Sequence, residues 1–166
     1  ATCLTTLGED AGVVDLVAHG EVDGKFAILL ERLEKPRWGE LDQQATLQLL
    51  YSVLSTVLRI REKKIYYRDL HHGQVMLRQS RDDQNYVLVD FGSARIVDSK
   101  LTEQHQLLPV NKWFAHPATS LRQKGYLDPT VCLHLSTRYA LGKIAIAARD
   151  GEDFIDRLFS AEGRQP

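Results

Sequence analysis

Two neighbouring stretches decide how this chain reads. Residues 66–77 are YYRDLHHGQVML, and residues 87–95 are VLVDFGSAR. Asp69 sits behind an arginine in a stretch with no regular apolar period. Asp90 closes an apolar run and meets Phe-Gly. The apolar stretches 74–78 and 86–90 are separated by the polar turn QSRDDQN, which predicts a β-hairpin. A hairpin folds its ends together, so both carboxylates are expected on one side of one site. Two carboxylates so placed suit phosphoryl transfer, one meeting the acceptor hydroxyl and the other a metal ion beside the phosphates. Gln74, five residues after Asp69, can offer a carbonyl oxygen to the same ion.

Working outward, residues 41–61 carry Leu47, Leu50, Leu54, Val57 and Leu58 at three- and four-residue steps. That spacing predicts a long amphipathic helix, with Leu47, Leu50 and Leu54 packed in the core. Further upstream, VVDLVAHGEV (13–22) and KFAILLERL (25–33) flank Asp23-Gly24, a second hairpin signal. Residues 1–8 read as the end of a helix, and EKPRWGEL (34–41) as a breaker segment. Downstream, 98–130 reads as a long ordered loop, 133–148 as a deeply buried helix, and 150–160 as a short capped helix.

The bulk properties bound the rest. A chain of 166 residues, 43% hydrophobic and 26% charged, fits one globular domain with its own core. A net charge of −1 supplies no electrostatic reason for nucleic acid or an anionic membrane as partner. No apolar run approaches the ~20 residues of a membrane helix. Cys3 and Cys132 stand far apart, in no metal-ligand spacing, and fit reduced thiols. The first residue is Ala1 and not Met, so a fragment or processed product is expected.

With these elements in place, the chain resembles the protein kinases over about residues 10–158. Y-R-D-L-x-x-x-x-Q resembles the catalytic loop His-Arg-Asp-Leu-x-x-x-x-Asn, and D-F-G matches the metal-binding motif. Helix 41–61 resembles the helix before the catalytic loop, and hairpin 13–33 the last two strands of the small lobe. LLERLEK resembles the hinge, KWFAHPAT (112–119) the end of the activation segment, and STRYALGKI (136–144) the buried helix of the large lobe. The resemblance implies an α+β, protein-kinase-like fold. Residues 1–34 would form a small-lobe remnant and hinge, and 35–166 the helical large lobe. It implies Asp69 as catalytic base, Arg68 as partner of a phosphate, and Asp90 and Gln74 as ligands of Mg²⁺ on ATP. Glu31 to Leu33 would meet the adenine through backbone groups. A cytoplasmic location, or delivery into a host cytoplasm, is expected.

The departures are equally specific. The chain carries no G-x-G-x-x-G loop, and no Val-Ala-x-Lys strand precedes residue 13. His71 stands where the family has a lysine that steadies the transferring phosphate. Gln74 replaces Asn, Ala118 replaces the glutamate of Ala-Pro-Glu, and Thr137 replaces the aspartate that holds the catalytic loop from below. The expectation is ATP- and Mg²⁺-dependent transfer to a protein Ser/Thr hydroxyl, weakened or lost, with weak nucleotide binding. Two alternatives stand beside it. One is a pseudokinase that docks on a protein partner or another kinase. The other is a small-molecule kinase, whose Asp-Leu-His-x-Gly-Asn loop DLHHGQ resembles.

Other residues have plainer readings. His71 and His72 are adjacent loop residues without a third ligand, so hydrogen-bonded or solvated rings are expected. His105 and His116 read as polar loop residues. Tyr66-Tyr67 and Trp113-Phe114 read as core anchors, with no basic patch to make them a base-stacking platform. Ser99 and Thr102 read as loop hydroxyls, and Lys63-Lys64 as a solvated helix end.

Overall fold

The computed structural model describes residues 2–79, 84–96, 116–117, 129–154 and 157. Among these residues the architecture is mixed α and β, with two long helices and three two-stranded antiparallel sheets. Helix α1 (Thr2–Leu7) is short and buries Leu4 and Leu7. Strands β1 (Leu16–Val22) and β2 (Lys25–Leu30) form the first hairpin. Val22 pairs with Lys25, which leaves Asp23 and Gly24 as a two-residue turn. Both turn residues have positive φ, 51° and 72°, as the tight hairpin turn requires. The hairpin projects from the body, and Val17, Val22, Phe26, Ile28 and Leu29 on it are exposed.

Helix α2 (Gln43–Glu62) begins at Asp42, whose carboxylate accepts a 2.7 Å hydrogen bond from the Ala45 amide. Arg59 and Arg61 occupy its last turn, where the helix dipole favours cations. The helix is where it was expected, and Leu50 and Val57 of the expected stripe are half-buried against the core, but the centre of its inward face lies elsewhere. Leu49, Val53, Thr56 and Ile60 are buried, while Leu47 is 59% exposed and Leu54 38% exposed. Burial of Thr56 is tolerated because its hydroxyl donates to the Ser52 carbonyl at 2.8 Å, one turn back. Lys63, read as solvated, donates to the Leu7 carbonyl at 2.8 Å and so ties α2 to the end of α1.

Strand β3 (Ile65–Tyr66) follows, then a 3₁₀ turn (His72–Gln74), β4 (Val75–Gln79), β5 (Gln84–Leu88), a second 3₁₀ turn (Phe91–Ser93) and β6 (Arg95–Ile96). β4 pairs with β5 and β3 with β6, so the second hairpin is present, within two residues of its expected bounds. Helix α3 (Pro129–Asp150) is longer at both ends than expected. Its buried Ala140, Ile144 and Ala147 pack in one core with α2, β3, β5 and α1. At its C-terminal end the carbonyls of Ala147 and Ala148 accept from Gly39, whose backbone lies so close to Gly151 that a Cβ there would meet the Gly151 backbone at 3.1 Å. Gly39 and Gly151 both adopt positive φ. This contact fastens the breaker segment 34–41 to the end of α3. A further backbone approach occurs at Gly12, where a Cβ would meet Thr56 Oγ1 at 1.8 Å. No helix among the described residues is long and apolar enough to cross a membrane. Most of the expected loop 98–130 lies outside the described residues, with Ser99, Thr102, His105, Trp113, Phe114 and Ala118. Of the expected helix 150–160, residues 150–154 and 157 are described: Asp150 ends α3, Gly151 is not helical, and 152–154 and 157 are helical.

Candidate functional site

Asp69 lies in the loop between β3 and the first 3₁₀ turn, and Asp90 lies between β5 and the second. Four ties hold these two loops together. The β3–β6 ladder pairs Ile65 with Ile96 and Tyr66 with Arg95. The Tyr67 hydroxyl donates to the Val89 carbonyl at 2.6 Å. The Arg68 guanidinium donates through Nε to the Ser93 carbonyl at 2.8 Å. The Val89 amide donates to the Gln74 carbonyl at 3.0 Å. Tyr67 is buried and meets the Phe91 ring edge-on, with centroids 5.1 Å apart. Each motif is therefore braced by the other, through residues close in sequence to its aspartate.

Asp90 adopts left-handed backbone geometry, φ 52° and ψ 74°. A non-glycine residue there is strained and needs support. The support comes from its own carboxylate, which accepts from the Gly92 amide at 3.1 Å and caps the second 3₁₀ turn. The other carboxylate oxygen accepts from Gln74 Nε2 at 3.2 Å. Gln74 thus stands beside Asp90 as the motif spacing suggested. It turns its amide nitrogen, not its carbonyl oxygen, toward the acid. Asp90 and Gln74 bring one carboxylate and one amide, both with hard oxygens, and such a donor set fits Mg²⁺ that keeps phosphate and water oxygens as its other ligands. To serve, the Gln74 amide must turn over. Among the described residues no group of three or more His, Cys, Asp or Glu side chains is placed to hold a metal alone.

Asp69 is set apart by one of its oxygens. Its Oδ1 is buried and has no hydrogen-bond partner among the described residues. Buried carboxylate oxygens are nearly always satisfied, so an unsatisfied one calls for an explanation. His71 Nε2 lies 3.8 Å from this oxygen, beyond hydrogen-bond reach. His71 Nδ1 accepts from the Gly73 amide at 3.2 Å. In the neutral ring that leaves the proton on Nε2, the nitrogen facing Asp69. Burial pushes the His71 pKa below its usual value, against the opposing charges of Asp69 and Asp90. Tyr67 is pushed well above the usual tyrosine value by burial and then by the same two carboxylates. Both aspartates therefore act electrostatically on the same two side chains. Arg68 is lowered by burial and by the nearby charge of Arg95, with Asp69 opposing.

Glu31 and Leu33, the residues expected beside the adenine, make contacts within the fold, as do Thr137 and His116. Glu31 forms a two-point ion pair with Arg78, through Nε at 2.8 Å and through Nη2. Glu31 also accepts from the Asp15 amide at 2.7 Å, and its own amide donates to the Asp15 carbonyl at 3.1 Å. Arg78 lowers the Glu31 pKa, an effect that burial opposes. Leu33 is half-buried against the core. Thr137 donates its hydroxyl to the Leu133 carbonyl at 2.9 Å, within its own helix. His116 donates its amide to the Ser136 hydroxyl at 3.0 Å, and its ring meets Tyr139 edge-on.

Sequence reasoning passed over Arg78 and Trp38. Arg78 also donates to the carbonyls of Ala11 and Val13, so one guanidinium joins β4 to the segment entering the first hairpin. Trp38 meets the His72 ring edge-on at 5.8 Å, and His72 Nε2 lies 3.9 Å from Glu152. An arginine alternating with apolar residues in a strand, and a tryptophan inside a breaker segment, were the available signals. No protein-family model and no curated protein matches this chain.

Proposed function

We propose that this chain is a protein-kinase-like domain with a reduced phosphoryl-transfer site, in which Asp69 meets the acceptor hydroxyl of a protein Ser or Thr and Asp90 meets the cation. The observation that carries this reading is an Asp69 carboxylate with one oxygen lacking a hydrogen-bond partner among the described residues, in a loop tied to the one where Asp90 meets Gln74. The Asp69 side chain keeps 19% of its surface exposed, and an acceptor hydroxyl would donate to that exposed edge. Arg68 and Tyr67 hold the loop in place through backbone carbonyls of the Asp90 segment. His71, neutral at pH 7, directs an N–H toward Asp69 and does not carry the fixed charge of the lysine it replaces. Bound Mg–ATP would supply the phosphoryl group and neutralise its charge. The part of this chain is to orient the hydroxyl and to hold the cation through Asp90 and a turned Gln74.

Two observations favour slow turnover, and with it the second reading, a pseudokinase that acts by binding. The Gln74 amide nitrogen is engaged on Asp90, and the Thr137 hydroxyl is engaged inside its own helix. The discriminating experiment is transfer of labelled phosphate from ATP to a generic protein acceptor, with Mg²⁺ or Mn²⁺. A correctly placed base is worth about 10²–10⁴-fold in rate. Turnover by the wild type that falls by this factor in Asp69→Asn, with the fold intact, supports the first reading. Absence of transfer by the wild type, together with metal-dependent ATP binding lost in Asp90→Asn, supports the second. Absence of both transfer and nucleotide binding overturns the site assignment.

A further inference from the structure

Helix α2 has two apolar faces. The buried one is Leu49, Val53, Thr56 and Ile60. The other is Leu47, Tyr51, Leu54 and Leu58, which are 59%, 75%, 38% and 49% exposed. At 3.6 residues per turn the two stripes lie on opposite sides of the helix. The outer stripe advances by four, three and four residues, the spacing of a coiled-coil seam. From Gln43 to Leu58 the helix carries no charged residue at all. A helix face meant for water normally carries charges, so this one has the composition of a covered surface.

We infer that a second copy of this chain covers it, through antiparallel packing of α2 on α2. The seam is self-complementary about a two-fold axis between Tyr51 and Leu54. Such an axis sets Leu47 against Leu58 of the second copy, and Tyr51 against its Leu54. It also places that Leu58 over the mouth of a groove of about 490 Å³ between α2 and α3, lined by Leu41, Leu47, Leu50 and Ile146. Charge selects the antiparallel sense. Glu40 and Asp42, with Arg37 beside Glu40, precede the helix and leave that end acidic, while Arg59, Arg61, Lys63 and Lys64 outnumber Glu62 and leave the other end basic. Antiparallel pairing sets the acidic end against the basic end and opposes the helix dipoles, whereas parallel pairing stacks like on like. The absence of charge along the seam means that self-pairing buries none. This interface is independent of the phosphoryl-transfer reading.

Sedimentation equilibrium from low micromolar to several hundred micromolar tests it. The wild type should show a reversible monomer–dimer equilibrium. Leu54→Glu places a carboxylate in the seam and should raise the dimer dissociation constant by at least about tenfold. Its far-UV circular dichroism should stay unchanged. Leu47→Glu, at a more exposed position, serves should Leu54→Glu unfold. Glu40→Lys and Lys64→Glu should each weaken the dimer, and the two together in one chain should restore it, because the charges meet across the axis. Val17→Glu, on the exposed hairpin, should leave the equilibrium unchanged. A monomer at every concentration overturns the inference, and so does a dimer that the seam variants leave intact or that the charge swap fails to restore.

Discussion

Replacing Tyr67 with Phe removes one oxygen and tests the brace between the two aspartate loops. The ring is 4% exposed and packs edge-on against Phe91. Phe keeps that packing, so a cavity contributes almost nothing. What is lost is the 2.6 Å hydrogen bond to the Val89 carbonyl, leaving a half-buried acceptor without its donor. Such a loss costs about 1–2 kcal/mol. In a domain of this size that lowers Tm by ~2–8 °C. Tyr67→Ala would add the lost packing and cost about 3–5 kcal/mol. The hydroxyl also predicts an alkaline signature. Burial and the two carboxylates raise the folded-state pKa of Tyr67 well above 10.0, so the unfolded chain ionises first. Both states are neutral below the unfolded value, and stability is lost as pH rises above it. Tyr67→Phe should abolish that part of the alkaline loss. Urea unfolding at pH 7.5 and 10.5 measures both effects. A destabilisation under ~0.5 kcal/mol, or one equal to that of Tyr67→Ala, would refute the reasoning, since hydrogen-bond loss alone lies between these limits. An alkaline response identical in wild type and variant would refute the electrostatic half.

His71 is lowered by burial, so its contribution is present above the unfolded histidine pKa and is lost as pH falls below it. Between pH 7.5 and 5.5 the wild-type urea midpoint should therefore fall further than that of His71→Gln. Arg78→Met should cost about 2–4 kcal/mol, because it strands the Glu31 carboxylate and the Ala11 and Val13 carbonyls, and Glu31→Gln in the same chain should recover part of it. Gly12→Ala should destabilise by at least ~1–3 kcal/mol, since its Cβ would overlap Thr56. Gly20→Ala, with nothing within 4 Å of the added carbon, should stay within about 0.5 kcal/mol of the wild type by thermal melting.

The two hairpins were legible because their signals are local. Asp23-Gly24 has one good conformation between apolar runs, and the strands on either side follow. The inward face of α2 was not legible, because the stripes 47/51/54/58 and 49/53/56/60 share one spacing. The true one contains a threonine, and bonds to the Ser52 carbonyl and the Arg59 guanidinium make that threonine acceptable inside. The meeting of Gln74 with Asp90 could be read from motif spacing. The direction of the Gln74 amide could not, since either end can face a neighbour and the carboxylate chose the nitrogen. Thr137 was placed correctly on its helix. Its hydroxyl went to the carbonyl one turn back, a local competitor that a motif comparison does not weigh.

The projecting hairpin β1–β2 has a consequence for how the chain comes apart. Its strands pair mainly with each other, and Val17, Phe26 and Leu29 gain little burial on folding. A two-stranded ribbon of this kind is marginal in water on its own. The ribbon is anchored at its base, where Leu16 and Leu30 reach the core and Glu31 holds Arg78. Residues 17–29 can therefore open and close while α2 and α3 stay packed, a small cooperative unit riding on a larger one. Amide protons in the ribbon should exchange by this local route at a fraction of the global free energy, and a protease given native protein should cut first at Asp23-Gly24.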